Sequence, residues 1–315
     1  MSNPQAYTVG WICAVTAESV AAQAFLNEEH RGCISSHNVV IPALPEGEYS
    51  TTSAATVAKD MLHSFPNVRI RLIVSIGGGA PSQKHNIRLG DIVVSKPGDG
   101  DGGVFQYDFS KTIQDCSFQE TRFLNQPPAL LRAALATLKA TYEIKGHHLI
   151  KEVNKNLKKI KKRSKYKQPS PVSNRLYKSY IIHPSNSPNE YNIAYGNNTA
   201  CLITQPKRDE EDDNPTIHYS LIASGNQLMK DAHIQDKLAA ERNVLCFEIE
   251  AASLMNHFPC LVIRGICDYS DSHKNKEWQG FAAIIAAAYA RDLLHQIALS
   301  SVKAERQIRE VLGSS

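Results

Sequence analysis

Apolar positions in this chain follow two rhythms. Short, nearly continuous β-branched runs occur at 7–15 (YTVGWICAV), 37–42 (HNVVIP), 69–81 (RIRLIVSIGGGAP), 88–95 (RLGDIVVS), 217–225 (IHYSLIASG) and 259–271 (PCLVIRGICDYSD). Such runs read as strands buried on both faces. Between them lie stretches with a helical period: 17–27, with Thr16 as N-cap; 52–64; 127–144, with Pro at its start; 230–243; and the alanine-rich 280–300. The segment 243–258 (NVLCFEIEAASLMNHF) reads as a strand passing directly into a helix. Strands alternating with helices predict an α/β fold: one domain over 1–300, with a mixed, largely parallel central sheet flanked by helices.

One region breaks the rhythm. Residues 145–215 are rich in Lys, Asn, Ser and Pro and end in an acidic knot, RDEEDD at 208–213. They read as a basic insertion, partly mobile. Residues 301–315 read as a polar helical linker leading out of the domain, toward further C-terminal domains if the chain is a piece of a longer protein.

Composition narrows the class. The 315 residues are 42% hydrophobic and 21% charged, which suits a chain with a real core. No apolar window is long enough for a membrane span, and the N-terminus lacks the pattern of a secretory signal. The seven cysteines include no CxxC pair, and several lie inside apolar runs. They read as buried free thiols of a cytoplasmic protein rather than a disulfide framework or a zinc site. No metal and no cofactor are expected. No HxH or HExxH spacing occurs, and His183, His218 and His273 read as surface residues. Trp278 reads as core; Phe105 and Tyr107 read equally as core or as pocket residues.

Charge is local. Residues 151–167 hold nine basic residues and one acid, while the whole chain carries only +4. The remainder is therefore acidic, and a nucleic-acid or membrane partner is not expected. The segment reads either as a solvated face or as a phosphate-attracting one.

The chemistry collects at strand ends. Ligands of open α/β sheets bind at the carboxyl ends of the strands. There stand Glu18, the turn Gly77–Gly78–Gly79, the pair Glu248 and Glu250, and Asp268. Carboxylates beside such apolar runs must be hydrogen-bonded or face a cleft. An acidic pocket suits cleavage through a cationic transition state, in which one acid activates water and another protonates the leaving group. Glycosidic bond cleavage is that class, and three acids at separate strand ends fit a nucleoside.

The segment VLCFEIEAASLMNHFPCLVIRGICDYSDSHKNKEWQGFAA at 244–283 carries FExEAA followed about twenty residues later by RxxxDxxD. In these motifs the chain resembles the purine and uridine phosphorylase–nucleosidase superfamily, above all the nucleoside phosphorylase-like domains at the N-terminus of fungal multidomain immune-type receptors. The resemblance covers about 7–143 and 216–296. It implies that Glu18 activates water, that Glu250 grips the ribose hydroxyls beside Glu248 with Ile249 on the sugar face, and that Asp268 donates a proton to purine N7. It further implies that Ser75, Gly77 and Gly78 line the water or phosphate subsite. Leu228 and Met229 fall where the base is held.

Phosphorylases of this superfamily place an Arg where this chain has Glu18 and another where it has Leu72. The resemblance therefore favours hydrolysis, with release of adenine from adenosine or ATP. Phosphate-dependent phosphorolysis and a catalytically silent nucleoside sensor remain alternatives. Arg208 and the basic segment are candidates for holding a 5′-phosphate. The expected partner is a small purine nucleoside or nucleotide. The resemblance also implies a homo-oligomer.

Overall fold

The computed structural model describes residues 3–27, 32–48, 50–98, 100–108, 110–111, 119–120, 124–183, 199–209, 211–274 and 276–305. Its centre is a strand of unusual length, β4 (Ile70–Gly79), buried at nine of ten positions. On one side β4 pairs in parallel with β1 (Val9–Ile12), which leads to β3 (His37–Val40) and β2 (Cys33–Ile34). On the other side it pairs in parallel with β11 (Leu261–Asp268). Next to β11 come β5 (Ile92–Ser95), β9 (Ile217–Ser224) and β10 (Val244–Glu248). β10 then turns back on β4 in antiparallel register, Cys246 opposite Gly79 and Phe247 opposite Gly78. Five strands thus close into a ring, and β1, β3 and β2 extend from it as a wing. A short β6 (Val104–Gln106) lies along the end of β9, and β7 (Ser110–Lys111) and β8 (Gln119–Glu120) form a small hairpin.

Helices cover both faces. α1 (Thr16–Ala24) and α6 (Gln279–His295) pack on each other through alanines. α6 is apolar nearly all round and correspondingly buried, as expected of a helix lying between layers. α2 (Thr51–Ser64) packs on β1, α3 (Ala129–Lys145) and α4 (Leu149–Asn156) on α6, and α5 (Ala232–Arg242) on β10. Asp231 caps α5, accepting from His233 N and Ile234 N at 2.9 and 3.2 Å. No helix is long and apolar enough to cross a membrane among the described residues.

Several expectations are corrected. Val15, not Thr16, flanks α1, and Thr16 is its first helical residue. The strand expected at 88–95 begins at Ile92, because the Asp91 carboxylate accepts from Arg88 N at 2.8 Å and holds 88–91 as a turn. β10 does not run into an α-helix: only a 3-10 turn, Ala251–Ser253, follows. The Glu248 side chain accepts from Glu250 N and Ala251 N, at 3.0 and 3.1 Å, and so caps this short turn. The long C-terminal helix ends at His295, and a short α7 (Leu299–Ala304) follows. Val302 is fully buried, and Arg69 donates to the carbonyls of Val302, Lys303 and Glu305. The first residues of the expected linker therefore belong to the body; 306–315 lie outside the described residues.

The basic segment is also built in. α4 and the turns after it run along the outer face of α6, from Arg291, which pairs with Glu152, to Gly280, against which the Lys165 carbonyl abuts. Leu149, Val153, Leu157, Ile160 and Tyr166 point inward and the lysines outward. Lys159 Nζ donates to the Ala24 and Leu26 carbonyls at 2.9 and 3.3 Å, satisfying the C-terminal end of α1. Residues 184–198 of the insertion lie outside the described residues.

Candidate active site

The ring closure decides where the acids meet. At its end β4 is held between β11 and β10, with Ser75 opposite Arg264 and Gly78 opposite Asp268 on one side and Phe247 on the other. There is no room for a side chain. A Cβ on Gly77 would lie 2.5 Å from Cys246 Sγ, and one on Gly78 would lie 2.7 Å from Asp268 Oδ1 and collide with Ser270 Oγ. The glycines needed for a close strand crossing are the same glycines that border the candidate water or phosphate subsite.

Glu18 reaches this crossing from the first turn of α1. Its Oε2 accepts from Ala14 N at 2.6 Å and Val15 N at 3.0 Å; its Oε1 accepts from Ile76 N at 2.8 Å and from the Ser75 hydroxyl. The residue is buried, and burial pushes its carboxyl above the ordinary range, against the pull of these bonds and of Arg264. Three of the four donors are fixed backbone N–H groups. Only the Ser75 hydroxyl is free to rotate away and release a lone pair.

Arg264 is the residue the sequence reading left without a role, although it opens the RxxxDxxD spacing. It is fully buried. Its Nη2 donates to Glu248 and lies 3.0 Å from Glu250 Oε2, and its Nη1 donates to the Ile76 carbonyl at 3.2 Å. A charged residue inside CLVIRGIC was itself the available signal, since a buried guanidinium demands buried acids. Burial works against its charge, but Glu248, Glu250 and Glu18 outweigh burial and hold it above its ordinary value.

Glu248 and Glu250 thus share one cation, with Glu18 close enough to feel its charge. Burial, reinforced by Glu248 and Glu18 and opposed by Arg264, raises the Glu250 pKa from 4.5 to about 8. Glu248 orients Arg264 and the backbone of 250–251. Ile249 is half-buried between the two acids.

Asp268 ends β11 on the far side of Gly78. Its Oδ1 accepts from Ser270 N at 2.9 Å and lies 3.4 Å from Lys274 Nζ; its Oδ2 accepts from Cys267 Sγ at 3.5 Å. Ser270 adopts φ +57°, the left-handed region, and this turns its N–H back onto the carboxylate. Lys274 and Ser270 are further groups of the site that the sequence reading did not single out.

The loop carrying Leu228 and Met229 abuts the Glu248–Glu250 segment, with Gly225 N donating to the Glu248 carbonyl at 3.2 Å. Met229 is buried with Phe105, Tyr107 and Phe247, whereas Leu228 is exposed. Tyr107 stands edge-on to Phe247 at 5.6 Å and donates to the Gln227 carbonyl, so it anchors this loop.

Arg208 stands elsewhere. It is paired with Asp91, beside which His218 Nε2 lies at 3.1 Å, and the three tie the end of the insertion to β5 and β9. A guanidinium so committed is not free for a 5′-phosphate. Arg71 packs over the Phe258 ring at 5.6 Å, buried away from Glu18. His273, expected at the surface, is buried under Tyr177. Trp278 is core, as its sequence context implied.

Comparison with solved structures gives this arrangement a place. A 5′-methylthioadenosine/S-adenosylhomocysteine nucleosidase from Neisseria meningitidis aligns over 91% of this chain and 98% of its own, with a TM-score of 0.56 and 13% identity. Futalosine hydrolase of Helicobacter pylori aligns over 94% and 100%, with a TM-score of 0.51 and 14% identity. The chain has the nucleoside phosphorylase–nucleosidase fold. No family model matches it. In sequence it is 40% identical, over 96% of its length, to a nucleotide-binding leucine-rich repeat (NLR)-like protein of the fungus Hyaloscypha variabilis. The chain spans 30% of the length of that relative. The resemblance read from 244–283 therefore finds the fold of the nucleosidases and a fungal NLR-like relative.

Proposed function

We propose that this domain is a purine N-ribosyl hydrolase that releases adenine from adenosine or ATP. The observation that carries the reading is the charge around Ser75 and Gly77: Glu18 faces this subsite, and Arg264, whose Nη1 bonds the Ile76 carbonyl there, is already engaged by Glu248 and Glu250. Among the described residues the cations near this subsite, Arg264 and Lys274, already face carboxylates, so inorganic phosphate would meet Glu18, whereas water would meet a base.

The chemistry follows from the geometry. A water seated at Ser75 and Gly77 takes the lone pair that the Ser75 hydroxyl gives up on Glu18, and transfers its proton there as it attacks C1′. Glu250, protonated below about pH 8, donates to one ribose hydroxyl and accepts from another. As the C1′–N9 bond breaks, Asp268, entering the step as the carboxylic acid, passes its proton to N7 and is left as a carboxylate facing Ser270 N and Lys274, so the base departs neutral. The names of the solved neighbours, which are nucleosidases, support hydrolysis and an adenine-bearing substrate. The NLR-like relative supports a setting in which base release is the task of one part of a longer NLR-like protein.

Chromatographic analysis after incubation with adenosine and with ATP, each with and without phosphate, tests this. Free adenine without phosphate is the expected result, and the faster substrate identifies the natural class. Adenine only with phosphate overturns the role of Glu18; no base from either substrate favours the silent sensor.

A further inference from the structure

The part of the insertion that approaches the site is not the basic segment. It is the stretch from Ser173 to His183, which lies along the loop 268–278 leading from Asp268 to α6. Five contacts fasten it. Trp278 Nε1 donates to Ser173 Oγ at 3.0 Å, and the Tyr269 hydroxyl donates to Asn174 Oδ1. The Tyr177 ring stacks on the His273 ring, with centroids 3.9 Å apart and planes 14° from parallel. His183 N donates to Ser272 Oγ at 3.0 Å, and the His183 ring stands edge-on to His273 at 5.7 Å. From the site side the same loop carries Ser270 N and Lys274 Nζ, both on Asp268 Oδ1. Every residue from 269 to 274 is thus fastened either to the strap or to the acid, or is flanked by residues that are.

We propose that residues 173–183 form a positioning strap for the leaving-group acid, with the Tyr177–His273 stack as its clasp. The physical reason is the backbone of the loop. Ser270 is held in the left-handed region, a conformation that persists only where its surroundings impose it. Within the loop, His273 N donates to Asp271 Oδ1 at 2.8 Å, and the strap adds a flat aromatic support from outside. Released from it, Ser270 N and Lys274 would leave Asp268 Oδ1, and the carboxyl would lose its aim at the base. The strap touches no substrate in this account; it acts through 270 and 274. The proposal rests on the hydrolase reading for its kinetic half only.

The test uses the full chain and two substrates that differ in their need for an acid. Adenosine requires protonation of its base. 4-Nitrophenyl β-D-ribofuranoside does not: water forms the new C1′–O bond and 4-nitrophenolate leaves with the electron pair. Tyr177→Ala is expected to lower kcat on adenosine by about 10–10²-fold, with KM little changed, and to leave nitrophenolate release unaltered. Tyr177→Phe, which keeps the stack, is expected to restore adenosine turnover. An equal loss on both substrates, or none on either, overturns the proposal. Hydrogen exchange of 269–274 provides a readout independent of activity: protection is expected to fall in Tyr177→Ala and to persist in Tyr177→Phe, and unchanged protection also overturns it. If wild type releases neither base nor nitrophenolate, the hydrolase reading fails and the exchange result alone decides the strap. Should Tyr177→Ala not fold, the pair His183→Ala and Ser272→Ala loosens the same contact from its other end and is judged by the same criteria.

Discussion

Arg264 Nη2 lies 3.0 Å from Glu250 Oε2, and the same nitrogen donates to Glu248. One fully buried guanidinium therefore organises the ribose-side acids and, through the Ile76 carbonyl, the strand that borders the water subsite. Replacing Arg264 with Met leaves buried carboxylates without their cation. The expected cost is about 3–5 kcal/mol of stability, measured by urea denaturation at pH 7. Arg264→Lys, which keeps the charge but loses the planar fork, is expected to fall between the two.

Glu250 gives stability a pH dependence whose sign is fixed. Its folded pKa is raised from 4.5 to about 8, so the folded state holds a proton that the unfolded chain has already released. The contribution of this group is complete below pH 4.5 and is lost as pH rises through 8. Glu250→Gln mimics the protonated form. Its thermal midpoint relative to wild type is expected to climb between pH 5 and pH 8 and to level off above. A flat difference across that interval contradicts the raised pKa. Base release by this variant is expected to fall through loss of one ribose contact.

Glu18 and Asp268 have separable tasks. Glu18→Gln removes the base and is expected to slow adenine release by about 10²–10⁴-fold while calorimetry still detects adenine binding. Asp268→Asn is expected to slow release to a similar degree but to spare substrates whose leaving group needs no proton. Full turnover in either variant refutes the corresponding role.

Gly78→Ala tests the link between strand crossing and catalysis. The added methyl meets Asp268 Oδ1 at 2.7 Å and overlaps Ser270 Oγ, so the acid must move. A kcat lower by about 10²-fold is expected, since a displacement of about 1 Å costs that much in oriented chemistry. Steady-state kinetics on adenosine measures it.

The basic segment makes the opposite prediction. Lys158, Lys161 and Lys162 are exposed on the outer side of α6, and none is bonded to a site acid among the described residues. Changing all three to Gln is expected to leave the rate ratio of ATP to adenosine unaltered. A selective loss with ATP places the segment at the phosphates after all.

Much of this was legible before any coordinates. The strand at 69–81, the helices at 52–64 and 127–144, and the acids at 18, 250 and 268 follow from local pattern and from one motif. What stayed hidden depends on partners remote in sequence. Arg264 looks like an interruption of an apolar strand until Glu248 and Glu250 stand beside it. EIEAASLM carries a helical period, but only the 3-10 turn Ala251–Ser253 forms there, capped by a Glu248 carboxylate whose second partner, Arg264, no local pattern shows. Leu149, Val153, Leu157 and Ile160 are spaced as a helical stripe, and the lysines between them masked a segment that packs on α6. The role of 173–183 had no local signature, because it rests on a stacked pair of rings almost a hundred residues apart.

The antiparallel return of β10 onto Gly78 and Gly79 has a further consequence. The strand pairing that closes the ring is also what sets Gly78 between Phe247 and Asp268, so the ribose-side segment and the strand bordering the water subsite cannot separate while the ring stays shut. Opening of the ring should therefore abolish turnover outright: in denaturant, no activity is expected to survive the loss of far-ultraviolet dichroism.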